Sequence, residues 1–251
     1  MKIFSSIAEW QIYREGLQES PVGFVPTMGA LHQGHLSLVK ASLARDAITI
    51  ASVFVNPKQF DDYGDFEAYP ANYRKDLEQL EKAGVGAVLL PDATQIYPDD
   101  YRFKVTESDF SRRLCGAHRP GHFDGVLTVV MRLLNLVRPD NAYFGEKDYQ
   151  QLQLIRDMTS AFFMRVNIVA CATVREADGL AMSSRNQHLG QENREKAAAL
   201  YTALKSSYTA GEARQVLAGH GFDVDYVEDI AGRRLAAARL GSTRLIDNVE
   251  I

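Results

Sequence analysis

Cysteine is scarce: Cys115 and Cys171 are the only two in 251 residues, too few for a disulfide framework and suited to a reducing compartment. Long apolar runs are missing as well. No stretch approaches the roughly 18 consecutive apolar residues that span a bilayer, and the opening residues soon meet Glu9, Arg14 and Glu15, unlike a secretory leader. Positive charge is in no surplus, with 28 Lys plus Arg against 32 Asp plus Glu and a net charge of -4. That disfavours a general polyanion binder, because phosphate-backbone affinity needs a concentrated excess of Lys and Arg, and it leaves room for a local basic pocket. Three signatures are also absent: G-x-x-x-x-G-K-[ST] of P-loop NTPases, G-x-G-x-x-G of dinucleotide dehydrogenases and the nucleophile elbow G-x-S-x-G. What is present is ordinary globular material, with 46% hydrophobic, 10% aromatic and 24% charged residues. The length fits one large domain or two modest ones. A soluble, cytoplasmic protein with no membrane or nucleic-acid partner is expected.

The first two thirds of the chain alternate between strand-like and helix-like periods, which predicts an α/β fold with a parallel sheet. Strands are expected at residues 22–26, 48–55, 85–90, 142–144 and 166–170. Leu36, Leu38, Val39, Leu43 and Ala44 mark one helix face; residues 73–83 read as a helix with Leu77 and Leu80 inward, stopped at Gly84. Asp124 is the expected cap of a helix carrying Val126, Val129, Val130, Leu133, Leu134 and Val137, ended by Pro139, and residues 150–164 form another. Ligands of such sheets sit beyond the carboxyl ends of the strands. After about Ala172 the rhythm changes. A helix over 191–208, a shorter helical stretch opening at Gly211 and strands at 224–230 and 243–251 predict a small α+β domain from residue 173, joined by a compact hinge.

Four stretches carry candidate chemistry. Residues 26–35, Pro-Thr-Met-Gly-Ala-Leu-His-Gln-Gly-His, follow the first strand and open the first helix. His32 and His35 lie three apart, so one helical turn puts both imidazoles on one side. Gly29 and Gly34 let a ligand approach, a helix N-terminus favours phosphate, and an imidazole donates hydrogen bonds as charge builds in displacement. The plainer reading is a turn glycine and two surface histidines. At the second strand's end, Asn56 and Gln59 offer hydrogen bonds to a small hydroxylated ligand, or form only a turn. In residues 144–151, Lys147 presents a compact charge to phosphate while Asp148 takes ribose hydroxyls or caps the next helix; a solvated charge cluster is the alternative. Ser183, Ser184, Arg185 and Asn186 make either a triphosphate clamp or a turn capping the helix from Gln191. Cys115, His118 and His122 have a spacing that seats three zinc ligands, yet no fourth is apparent, and a rigid loop with Arg119 and His122 near the pocket is the better reading.

Taken in order, these stretches are more specific than any one of them. Pro26-Thr27-Met28-Gly29-Ala30-Leu31-His32-x-Gly34-His35, Phe54-Val55-Asn56-Pro57-x-Gln59-Phe60, Arg119-Pro120-Gly121-His122-Phe123-x-Gly125-Val126, Phe144-Gly145-Glu146-Lys147-Asp148 and Met182-Ser183-Ser184-Arg185-Asn186 resemble the pantoate:beta-alanine ligase (pantothenate synthetase) family. The resemblance covers residues 1–190 and resumes at Arg244-Leu245-Ile246-Asp247-Asn248. It implies a nucleotidyltransferase of the His-x-Gly-His type, shared with class I aminoacyl-tRNA synthetases. The implied architecture is a Rossmann-like ATP- and pantoate-binding domain over residues 1–172, a smaller α+β lid over 173–251 and a homodimer. The lid looks shortened against the family's usual C-terminal part.

The implied reaction uses Mg-bound ATP in two steps. The carboxylate of (R)-pantoate attacks the α-phosphate to give pantoyl adenylate and pyrophosphate; beta-alanine then attacks the acyl carbon, giving pantothenate, the coenzyme A precursor, and AMP. By resemblance, Met28, Gly29, Ala30, Leu31, His32, Gln33, Gly34 and His35 bind ATP, with His35 the family's proton donor and His32 facing the phosphates. Gly145, Glu146, Lys147 and Asp148 also bind ATP, Val174 touches adenine, and Met182, Ser183, Ser184 and Arg185 close over the triphosphate. Gln59 and Gln151 grip pantoate. No protein metal ligand is implied, magnesium riding on the phosphates. The catalytic set is His35, His32, Lys147 and Arg185: attack by a carboxylate needs positioning and charge neutralisation rather than a covalent protein nucleophile. Two rivals remain: an adenylyltransferase that stops after AMP transfer, and a nucleotide-binding regulator with an inactive site.

Overall fold

The computed structural model describes residues 1–18, 21–61, 63–67, 69–70 and 72–251. Its first part runs β1 (Lys2–Phe4), α1 (Ile7–Gly16), β2 (Val22–Thr27), α2 (Gln33–Leu43) and β3 (Ile48–Val53). It continues through α3 (Tyr63–Glu67), α4 (Tyr73–Ala83), β4 (Ala87–Leu89), α5 (Ala93–Ile96), α6 (Cys115–His118), α7 (His122–Val137), β5 (Asn141–Gly145), α8 (Tyr149–Ala161) and β6 (Asn167–Cys171). These six strands form one parallel sheet in the order β1-β4-β3-β2-β5-β6. The strands at its centre are buried along nearly their whole length because both faces are covered. On one face, Trp10 of α1 packs with Leu127 and Leu134 of α7 and Ile155 of α8; on the other, Val39 of α2 meets Leu80 of α4.

The chain winds outward from β2 to one edge and then returns to β5, so the order reverses between β2 and β5. β2 pairs with β5 at Gly23 and Phe24, and Pro26, which has no N–H to offer a ladder, lies beyond that pairing. The two strands part there, and the crevice opens as expected at such a switch point.

The last third holds α9 (Gln191–Ala197), α10 (Ala199–Ser206), α11 (Ala210–Gly219) and an antiparallel sheet of β7 (Asp223–Ile230), β8 (Arg233–Leu240) and β9 (Thr243–Glu250). β8 is central and buried on both faces. Leu235 and Ala237 join the core beneath α7 and α8, while Ala236, Ala238 and Leu240 face α10 and α11. The fold is thus a Rossmann-like α/β sheet with a smaller α+β part.

Several expectations need correction. Asp124 does not cap α7: Gly121, at φ +80°, occupies the cap, and Asp124 sits in the first turn, where its charge still favours the helix N-terminus. The single helix expected over 191–208 breaks at Ala198 into α9 and α10. Residues 150–164 are helical only to Ala161. Gly84 does stop α4, at φ +93°.

Candidate active site

β2 delivers Thr27 to the mouth of the crevice, and the chain turns through Gly29 (φ +80°) and Ala30 (φ +50°) before α2 begins. Asp76, 1% exposed on α4, holds that turn: its two oxygens accept the backbone N–H groups of Ala30 at 2.9 Å and Leu31 at 2.8 Å. A Cβ at Gly29 would come within 2.8 Å of the same carboxylate. His32 caps α2, its Nδ1 accepting the Gly34 N–H at 3.1 Å, and His35 Nδ1 accepts the His32 N–H at 3.3 Å. A side chain at Gly34 would collide with the His32 ring, 2.8 Å away. The motif is therefore a capping box built from imidazoles, with ring centroids 4.1 Å apart.

A ring nitrogen that accepts carries no proton, so each neutral imidazole holds its proton on Nε2. Burial, then the Lys147 charge, pushes His32 down to about 4, and burial, then His32, pushes His35 down to about 3. Both rings are neutral near pH 7, and both line the crevice.

The crevice is a cavity of about 550 Å³. On one side a 3-10 turn, Pro57–Gln59, carries Gln59, whose Nε2 lies 2.9 Å from Met28 Sδ. Gly125 permits this approach, since a Cβ there would lie 2.1 Å from the Lys58 carbonyl oxygen. The Gln59 carbonyl oxygen accepts from His122 Nδ1 at 2.8 Å and from Arg119 at 3.3 Å, and Arg119 pairs with Asp61 at 2.8 Å. Burial and the Arg119 charge bring His122 to about 4. Asn56 turns out to be a strut. At 1% exposure at the cavity wall, it donates to Gln59 Oε1 and the Gly125 carbonyl and accepts from the Tyr97 hydroxyl at 2.6 Å, so its amide braces the turn that carries Gln59.

Across the cavity, β5 ends at Gly145, and Lys147 reaches the wall with its Nζ 3.7 Å from Asp148 Oδ1. A hairpin joins Val174 to Met182, whose N–H donates to the Val174 carbonyl at 2.9 Å, and Arg175 bridges to Ala181. Ser183 then caps the 3-10 turn Ser184–His188, and Tyr69 bonds Ser184 across the rim.

Met28, His32, Gly34, His35, Gln59, Gly145, Lys147, Asp148, Gln151, Val174 and Met182 through Arg185 all line this one cavity. Gly29, Ala30, Leu31, Gln33 and Glu146 lie outside its lining. The N–H groups of Ala30 and Leu31 are taken by Asp76, and Glu146 pairs with Arg233 at 3.2 Å. Asp76 escaped the sequence reading because a carboxylate in a helix's first turn has a sufficient local explanation there. The Cys115, His118 and His122 spacing does not close on a metal. Cys115 Sγ meets the Tyr226 hydroxyl at 3.1 Å, His122 faces Gln59, and among the described residues no group of three or more His, Cys, Asp or Glu side chains is placed to hold an ion.

A family model, pantoate-beta-alanine ligase, matches residues 2–250. The chain belongs to the pantoate-beta-alanine ligase family. It is 52% identical over 250 residues to the pantothenate synthetase of Bdellovibrio bacteriovorus, covering 100% of this chain and 99% of that protein. Pantothenate synthetase from Thermus thermophilus superposes with a TM-score of 0.93 at 40% identity, covering 100% of this chain and 99% of that one. The ligase of Francisella tularensis, complexed with beta-gamma ATP and beta-alanine, gives 0.94 at 37% identity over 100% of this chain and 97% of its own. These ligases align over nearly their whole length, so the compression expected at residues 173–251 does not set this chain apart from them. No helix among the described residues is long and apolar enough to cross a membrane.

Proposed function

We propose that the protein condenses (R)-pantoate with beta-alanine, using ATP, to give pantothenate, AMP and pyrophosphate. In the first step a pantoate carboxylate oxygen bonds to the α-phosphorus and the bond from that phosphorus to the bridging β-phosphate oxygen breaks. In the second, the beta-alanine nitrogen bonds to the acyl carbon, AMP leaves with its oxygen, and the amine gives up a proton.

The observation that carries this reading is the meeting, in one cavity, of the two Nε2–H imidazoles with Lys147 and the Ser183–Arg185 turn, while Gln59 and Gln151 supply neutral amides nearby. Donors of this kind stabilise charge that develops on phosphate, and neutral amides suit the hydroxyls and carboxylate of pantoate. His32 and His35 donate to the phosphates, His35 being the family's proton donor; Lys147 and Arg185 neutralise the triphosphate, over which Met182 through Arg185 close; Val174 touches adenine. Gly29, Ala30 and Leu31 act by shaping the turn.

Magnesium carried by the triphosphate fits the donor set. Of the carboxylates at the cavity, Asp61 is held by Arg119 and Asp247 by Arg175, whereas Asp148 has Lys147 at the looser distance of 3.7 Å. The ion would ride on the phosphates and supply charge neutralisation there, with Asp148 the cavity carboxylate left to face it.

Residues 1–172 act as the catalytic domain and 173–251 as the lid that keeps water from the mixed anhydride. The working form is a cytoplasmic homodimer, in keeping with two free thiols. Omitting ATP, pantoate and beta-alanine one at a time tests the reading. Pyrophosphate should appear with ATP and pantoate alone, and pantothenate only once beta-alanine is added. Turnover indifferent to beta-alanine would favour a plain adenylyltransferase, and ATP binding without turnover a regulator.

A further inference from the structure

A buried side chain of the C-terminal sheet bonds the backbone of the cavity wall. Asn248 on β9, 3% exposed, donates from Nδ2 to the carbonyl oxygens of Glu146 at 2.8 Å and Lys147 at 3.1 Å. Its Oδ1 accepts from Arg233 at 2.7 Å, and Arg233 also pairs with Glu146 and lies over the Tyr149 ring. The Asn248 backbone is anchored as well: its N–H donates to Asp247 Oδ1 at 2.8 Å and its carbonyl accepts from Arg175 at 3.3 Å. The two clamped carbonyls belong to the 3-10 turn Glu146–Asp148 that leads into α8, so the Asn248 amide bonds this turn from outside, at the residue that carries the Lys147 side chain. Asp247 meanwhile grips Arg175 with both oxygens, at 2.6 and 3.0 Å, on the hairpin that carries Val174 and Met182. One strand end thus ties together the segments on two walls of the cavity.

We propose that Asn248 is a positioning residue for adenylate formation: by clamping the Glu146 and Lys147 carbonyls it fixes the backbone from which the Lys147 ammonium reaches the phosphates. The inference rests on the function proposed above. A buried amide with every polar group partnered defines a unique geometry, and a displacement of about 1 Å in a reacting group lowers a rate by about 100-fold. Asn248 acts only through Lys147, so its effect belongs to the half-reaction in which pyrophosphate departs. Aminolysis of a finished adenylate, with no triphosphate present, does not need the clamp.

The test compares Asn248→Ala, Asn248→Asp and Lys147→Ala, alone and with Asn248→Ala added to Lys147→Ala. Asn248→Asp keeps the Arg233 partner and loses both donors, so it remains informative if the alanine variant folds poorly. Pyrophosphate release from ATP and pantoate, pantothenate formation from prepared pantoyl adenylate and beta-alanine, and the melting temperature are each measured. Adenylation should fall about 30- to 100-fold in kcat with KM for pantoate within about twofold, aminolysis should stay within about threefold, and Asn248→Ala should add little in the Lys147→Ala background. Wild-type adenylation in a folded variant overturns the proposal. So does a parallel loss of both half-reactions tracking the melting temperature, or a full further loss in the Lys147→Ala background. A wild-type protein that releases no pyrophosphate with pantoate overturns the functional reading itself, and the role of Asn248 with it.

Discussion

His35 Nδ1 lies 3.3 Å from the backbone nitrogen of His32, so the second histidine of the motif holds the turn that presents the first. The same bond dictates its tautomer, leaving the Nε2 proton as the group offered to a ligand. Structure and chemistry are thereby joined in one side chain, and substitutions there act on both.

Replacing His35 with Ala removes the Nε2 donor and should lower adenylate formation by about 100-fold or more, the usual loss for a transition-state donor. Glutamine at this position can still accept from the His32 N–H, so His35→Gln should melt closer to the wild type than His35→Ala while remaining slow. Single-turnover pyrophosphate release at wild-type rate in either variant would remove His35 from the chemistry.

Acid should weaken the fold through these rings. An unfolded chain's imidazoles take up a proton near about pH 6.5, whereas His32 and His122 do so only at about 4 and His35 at about 3. Between those limits the unfolded state binds more protons. The contribution of the buried neutral rings is therefore complete above about pH 6.5 and is lost progressively as the pH falls through the window. Melting temperatures from pH 7 to 4.5 should decline, and more steeply for the wild type than for His35→Gln. Equal slopes would mean that His35 keeps an ordinary affinity for protons.

Gln59→Ala should raise KM for pantoate about tenfold while leaving ATP affinity within about twofold, since a missing amide in a hydroxyl-binding site costs roughly 1–2 kcal/mol. Its backbone carbonyl stays held by His122 and Arg119, so the turn should survive. Pantoate saturation and ATP binding measured on the same preparation separate the two effects.

The stretches that meet in the cavity were legible because each is local: a strand, a polar or glycine-bearing turn and a helix follow one another in sequence. α4 was legible to the residue, its periodicity ended by Gly84 in a left-handed conformation. β8 was not. Its sequence, Arg-Arg-Leu-Ala-Ala-Ala-Arg-Leu, favours a helix by propensity. Leu235 and Ala237 face one core and Ala236 and Ala238 another, so no polar alternation marks a strand. Long-range partnerships were equally hidden. The sequence leaves Asn56 as a ligand contact or a turn residue and gives no sign of Tyr97, 41 residues away, and nothing near Asn248 announces carbonyls 101 and 102 positions earlier.

Asp76 is the sharpest case of a residue whose importance is invisible in sequence. Its two oxygens hold the N–H groups of Ala30 and Leu31, residues 46 and 45 positions away, and Ala30 keeps a positive φ that an alanine seldom adopts. Asp76→Asn keeps one acceptor and turns an NH2 group toward the other N–H, leaving a buried donor facing a donor. Such a mismatch costs about 1–3 kcal/mol, visible as a lower denaturant midpoint. The turn should also relax, moving His32 and His35 relative to Lys147, so adenylation should drop about tenfold or more even well below the melting temperature. Because Asp76 lies outside the cavity lining, an unchanged rate with lowered stability would limit it to a role in folding. A lowered rate at full stability would instead show that the histidines depend on this carboxylate for their place.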